Sequence, residues 1–65
     1  MSEVLIIALQ KEEDKLKRQI ANHDATKALI DIVGETAKEL NKLERQATAM
    51  KETRSNIAKL KKALA

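Results

Sequence analysis

The sequence has no cysteine, no proline, no phenylalanine, tyrosine or tryptophan, and only one glycine. Each absence excludes something. Without Cys there is no disulfide staple, no thiolate nucleophile and no thiolate metal site. Without aromatic residues any core must be built from Leu, Ile, Val, Met and Ala, and single-stranded nucleic acid loses its usual stacking platform. Without Pro, and with Ala, Leu, Lys, Glu, Arg and Gln dominant, almost every position is a good helix former. Long apolar runs are missing too. The longest, Val4 to Leu9, has six residues and no basic residue before it, whereas a membrane span needs about 20 apolar residues and a signal peptide a cationic start. The expectation is an all-α, soluble, cytoplasmic chain with no membrane association.

What is present is short. The 65 residues allow one domain, and a chain of this length buries only about 60% of the surface that its unfolded form exposes. Disulfides are unavailable and metal ligands scarce, so association is the remaining way to complete a core. A homo-oligomer is expected, with a dimer favoured.

Two places interrupt the helical pattern. At Asn22-His23-Asp24, Asn could end one helix and Asp cap the next. At Gly34-Glu35-Thr36, Gly34 follows the apolar stretch Ala28 to Val33 as a helix-ending glycine would, and Thr36-Ala37-Lys38-Glu39 matches a capping box with reciprocal Thr and Glu bonds. The second is the more specific signal. It predicts one domain, residues 1–65, with a helix over about 3–33, a turn at 34–36 and a helix over about 37–64. The competing arrangements are a turn near His23 and one long coiled-coil helix. The long helix is favoured by steps of four and three that run unbroken from Leu29 through Val33, Thr36, Leu40, Leu43, Ala47, Met50, Arg54, Ile57 and Lys61 to Leu64. No internal repeat or low-complexity tract is evident.

Upstream, the apolar stripe runs Leu5, Leu9, Leu16, Ile20, His23, Ile30. Folding back at Gly34 would set Leu5 near Leu64, Leu9 near Leu60, Leu16 near Met50, Ile20 near Ala47, and Ile30 near Ala37 and Leu40. One facing helix does not cover the Val4–Leu9 run, which points around a whole helix. A second hairpin would, giving an antiparallel four-helix bundle. The expected interface for self-association or a partner is therefore Leu5, Leu9, Leu16, Ile20, Ile30, Leu40, Leu43, Ala47, Met50, Ile57 and Leu64.

Groups that do chemistry are few. His23 is the only histidine and stands in no ligand spacing; a helix-boundary or partly packed histidine is the plainer account, with pH-sensitive association as its one functional use. Glu12, Glu13 and Asp14 diverge by ~100° each on a helix and do not converge on one atom. There is no phosphate loop and no nucleophile arrangement. The inventory argues against an enzyme, a cofactor, a metal or a small-molecule substrate.

Charge is uneven. Residues 1–33 carry five Lys/Arg and six Asp/Glu, and residues 34–65 carry eight and four. The cations Lys51, Arg54, Lys59, Lys61 and Lys62 complement the negative end of a helix dipole, and they could also contact phosphates or an acidic partner. The leading functional expectation is a non-enzymatic helical interaction module that binds a protein partner through an amphipathic face. The alternative is a small nucleic-acid-binding regulator that uses the basic C-terminal helix.

On this pattern, Leu43→Asp or Ile57→Asp should abolish both folding and partner binding. Variants that keep the wild-type circular dichroism signal and still bind would show the stripe to be misassigned.

Overall fold

The computed structural model describes residues 2–65, and over these the chain is a hairpin of two helices, α1 Ser2–Val33 and α2 Ala37–Leu64. It measures 48 × 14 × 13 Å, the length that 32 helical residues span at about 1.5 Å each. Residues 22–24 lie inside α1, so neither a turn at His23 nor an uninterrupted rod is adopted.

The turn is set by two residues. Gly34 takes φ +86°, a left-handed conformation in which a Cβ is strained, and its N–H donates to the Ile30 carbonyl at 2.8 Å. Thr36 then takes extended angles, φ −122° and ψ 156°, and its hydroxyl accepts from the Glu39 N–H at 3.2 Å. The other half of the expected capping box is not made. Glu39 Oε2 is shut away from solvent without a partner, because this side chain falls on the inter-helix seam.

That seam is regular. In α1 the half-buried or buried positions include Leu5, Leu9, Glu12, Leu16, Gln19, His23, Thr26 and Ile30; in α2 they include Glu39, Leu43, Gln46, Met50, Thr53, Ile57, Leu60 and Leu64. Both series step by alternating fours and threes, as the a and d columns of a heptad do. We place Leu9, Leu16, His23, Ile30, Leu43, Met50, Ile57 and Leu64 at a, and Leu5, Glu12, Gln19, Thr26, Glu39, Gln46, Thr53 and Leu60 at d. Counted outward from the turn in equal steps, the levels are Ile30 with Glu39, Thr26 with Leu43, His23 with Gln46, Gln19 with Met50, Leu16 with Thr53, Glu12 with Ile57, Leu9 with Leu60 and Leu5 with Leu64. Most levels thus set one apolar side chain against one polar side chain.

The helices therefore share a thin core. Met50 and Ile57, at 7% and 8% exposure, are the buried apolar residues among those described, and Thr53 and Thr26, at 1% and 4%, are buried more deeply. Both threonines satisfy their hydroxyls locally, donating at 3.0 Å to the carbonyls of Ala49 and Asn22 one turn back. The accessible surface is 5107 Å², against about 4,200 Å² for a compact monomer of this mass.

Because Gly34 has open space around its Cβ position, Gly34→Ala should cost only the backbone strain, about 1 kcal/mol. Urea denaturation should show an unchanged slope with a lower midpoint; an unchanged midpoint would mean that the turn does not depend on the left-handed angle.

Candidate interaction site

The expected interface residues divide into two sets. Leu5, Leu9, Leu16, Ile30, Leu43, Met50, Ile57 and Leu64 line the seam, but Ile20, Leu40 and Ala47 do not and are exposed. These three occupy heptad position e, 40° round the helix from a, together with Ile6, Glu13, Lys27, Arg54 and Lys61. Leu16 therefore stands level with Thr53 instead of Met50, and Ile30 with Glu39 instead of Ala37 and Leu40. The reason is a phase slip. Steps of four and three carried through Gly34 land on e and a in α2, whereas the turn advances the register by one residue and brings Glu39, Gln46, Thr53 and Leu60 to face α1.

Two grooves show how the sides of the hairpin differ. One is lined by Ile20, His23, Asp24, Lys27, Ala47, Met50 and Arg54, so the a and e columns of both helices open on the same side. The other is lined by Asn22, Ala25, Thr26, Leu29, Lys42 and Gln46, the d and g side. The first side carries Leu9, Leu16, Ile30, Leu43, Met50, Ile57 and Leu64 at a, with Ile6, Ile20, Leu40 and Ala47 at e. On the second, away from Leu5 and Leu60 at the open end, the d column is Glu, Gln and Thr. The hairpin is thus a two-sided ribbon: the a/e side holds most of the large apolar side chains, interrupted at e by Glu13, Lys27, Arg54 and Lys61, and the other side is polar.

The polar column is poorly satisfied. One oxygen each of Glu12, Gln19, Glu39 and Gln46 is closed off from solvent with no hydrogen-bond partner. Leaving such a group unpaired costs about 1–3 kcal/mol. The large apolar side chains left outside are costly as well: Ile20 is 36% exposed, Leu40 43%, Val4 71% and Ile32 82%.

The four unpaired groups also reveal a repeat that periodicity alone missed. Residues 11–30 align with residues 38–57, with identity at Lys11/Lys38, Glu12/Glu39, Lys15/Lys42, Leu16/Leu43, Arg18/Arg45, Gln19/Gln46, Thr26/Thr53 and Ile30/Ile57. Five of the six seam positions in this window are identical, the exception being His23/Met50. The expectation of no internal repeat is corrected accordingly. The offset of 27 residues is one short of four heptads, so a search in heptad phase passes over it. In the hairpin the two copies are related by a local twofold axis that runs through the ribbon at the level of Ala21 and Thr48.

His23 sits mid-helix at a, half-buried and level with Gln46. Among the described residues, no group of three or more His, Cys, Asp or Glu could hold a metal ion, and no helix is long and apolar enough to cross a membrane. Lys51, Arg54, Lys59, Lys61 and Lys62 are all exposed. Arg54 and Lys61 border the apolar side at e and Lys51 lies next to them at b, while Lys59 and Lys62 lie round the back of α2.

Because the seam amide oxygens of Gln19 and Gln46 are unpaired, Gln19→Leu together with Gln46→Leu should stabilise the protein by about 1 kcal/mol or more. A higher urea midpoint is the expected result, and a lower one would mean that these amides have partners in solution. Comparison with protein-family models, with curated proteins and with solved structures finds no match for this chain.

Proposed function

We propose that this chain is a non-enzymatic helical interaction module, a small regulator, adaptor or assembly protein, whose a/e side binds a protein partner and also pairs with a second copy. One observation carries the reading: the apolar stripe is only half used by the hairpin, which half-buries or buries the a column and leaves Ile6, Ile20, Leu40 and Ala47 outside. The chain exposes about 900 Å² more than a compact monomer of its mass would, as a 48 × 14 × 13 Å ribbon must, so it has surface to spare for a partner. A helix laid in the groove, or another hairpin stacked on it, would cover the a and e columns together. Arg54 and Lys61 at its border favour an acidic rim on a protein partner. Catalysis has no support in the side-chain inventory.

Nucleic-acid binding is the second reading, supported by the exposure of Lys51, Arg54, Lys59, Lys61 and Lys62. Their spread around α2 argues for loose phosphate contact, which weakens steeply with salt. The protein reading has the exposed Ile6, Ile20 and Leu40 behind it, side chains that phosphate contact would leave in water.

Leu40→Asp separates folding from binding, because Leu40 lies outside the seam. Circular dichroism of this variant should stay helical, while light scattering should show loss of self-association and a pull-down loss of the captured protein. Retention of both would overturn the assignment of the a/e side. Capture that nuclease abolishes, and that also disappears when Lys51, Arg54, Lys61 and Lys62 are neutralised, would move the function to nucleic acid.

A further inference from the structure

We propose that two copies stack through their a/e sides with the turns at opposite ends, so that α1 lies antiparallel on α1 and α2 antiparallel on α2; this rests on the self-association reading above. The local twofold makes the central part of the ribbon nearly blind to orientation. A second copy with its turn at the same end, placing α1 on α2, would bury much the same a and e side chains. The choice must come from features that break the symmetry, and two of them agree.

The first is charge on the b column, which flanks e and so borders a stacked interface. In α1 this column includes Lys17 and Asp24, and in α2 Glu44 and Lys51, all exposed. With the turns at the same end, Lys17 falls level with Lys51 of the other copy and Asp24 with Glu44, two repulsive pairs against one attractive pair at e, Glu13 with Arg54. With the turns at opposite ends, Lys17 meets Asp24, Glu44 meets Lys51, and at e Glu13 meets Lys27. Every one of these pairs is attractive, and twofold symmetry doubles each. Complementarity of this kind selects orientation even where it adds little affinity.

The second is the open end of α1. At e, Ile6 is 44% exposed. The same-end arrangement sets it level with the exposed Lys61 at e of the other copy, whereas the opposite-end arrangement brings it to the turn at Gly34.

The test exploits the lack of cysteine. Glu35→Cys places a single thiol at the exposed turn and can be spin-labelled without other changes. Light scattering first establishes the dimer, and pulsed dipolar spectroscopy then gives the separation of the two labels. Opposite ends predict a distance of about 45 Å, and the same end a distance within about 20 Å. A short distance in a stable dimer would overturn the orientation while leaving self-association intact; a monomer at all concentrations would overturn both. As a second check, Lys17→Asp should weaken the dimer a few-fold, and adding Asp24→Lys should restore it. Failure of the double variant to recover would remove the charge argument.

Discussion

Closing the hairpin turns positions a and d inward, and that geometric choice governs the rest of the molecule. The apolar stripe of each helix is centred between a and e, so the seam does not coincide with it. The two helices bury one edge of the stripe, draw in a column of Glu, Gln and Thr from the other side, and leave the far edge in water. Each consequence is unfavourable for an isolated hairpin. The d column has oxygens of Glu12, Gln19, Glu39 and Gln46 without partners, and the e column has Ile20 and Leu40 more than a third exposed. Natural domains are marginally stable, by about 0.05–0.15 kcal/mol per residue, so defects of about 1 kcal/mol each are not small here.

Much of the architecture was legible beforehand. Composition alone dictated helix, and the pairing of Gly34 with Thr36 located the turn because both act through local backbone physics: a left-handed angle and an exposed N–H that needs an acceptor. The face that each helix presents was not legible to the same degree. Leu43, Met50, Ile57 and Leu64 belong to the stripe in any phase, but whether Leu40 and Ala47 or Gln46 and Thr53 accompany them depends on how many residues the turn consumes. A periodicity count cannot sense that number. The expected Glu39 cap failed for the same reason, since the register carried this carboxylate into the seam.

The repeat explains why the polar seam residues are so consistent. Glu12, Gln19 and Thr26 recur as Glu39, Gln46 and Thr53 in the same structural positions, so these are a pattern of the helix and not isolated exceptions. Polar groups in a helix–helix seam lower stability but penalise slipped registers, as a buried Asn does in a coiled coil. A two-helix ribbon with only Leu at every seam position could slide by a heptad at little cost. Here a slide of seven residues would replace the two all-apolar levels at the open end, Leu9 with Leu60 and Leu5 with Leu64, by one, Leu16 with Leu60 or Leu5 with Ile57.

The same reasoning applies to the outer face. A ribbon related to itself by a local twofold offers a partner two nearly equivalent orientations, which weakens specificity unless the symmetry is broken. Only His23 and Met50 break it on the seam, near the axis itself, where they discriminate least. The decisive differences lie further out: Lys17 and Asp24 against Glu44 and Lys51 at b, Glu13 against Leu40 at e, and Ile6 and Lys61 at e near the open end. Hydrophobic burial scales with area and has no direction, so it can drive a partner onto the a/e side without orienting it. Orientation then falls to the charges at the margin, which sit where partial solvation keeps their desolvation cost low. On the proposed reading, affinity and orientation are thus carried by separate columns of the same helices.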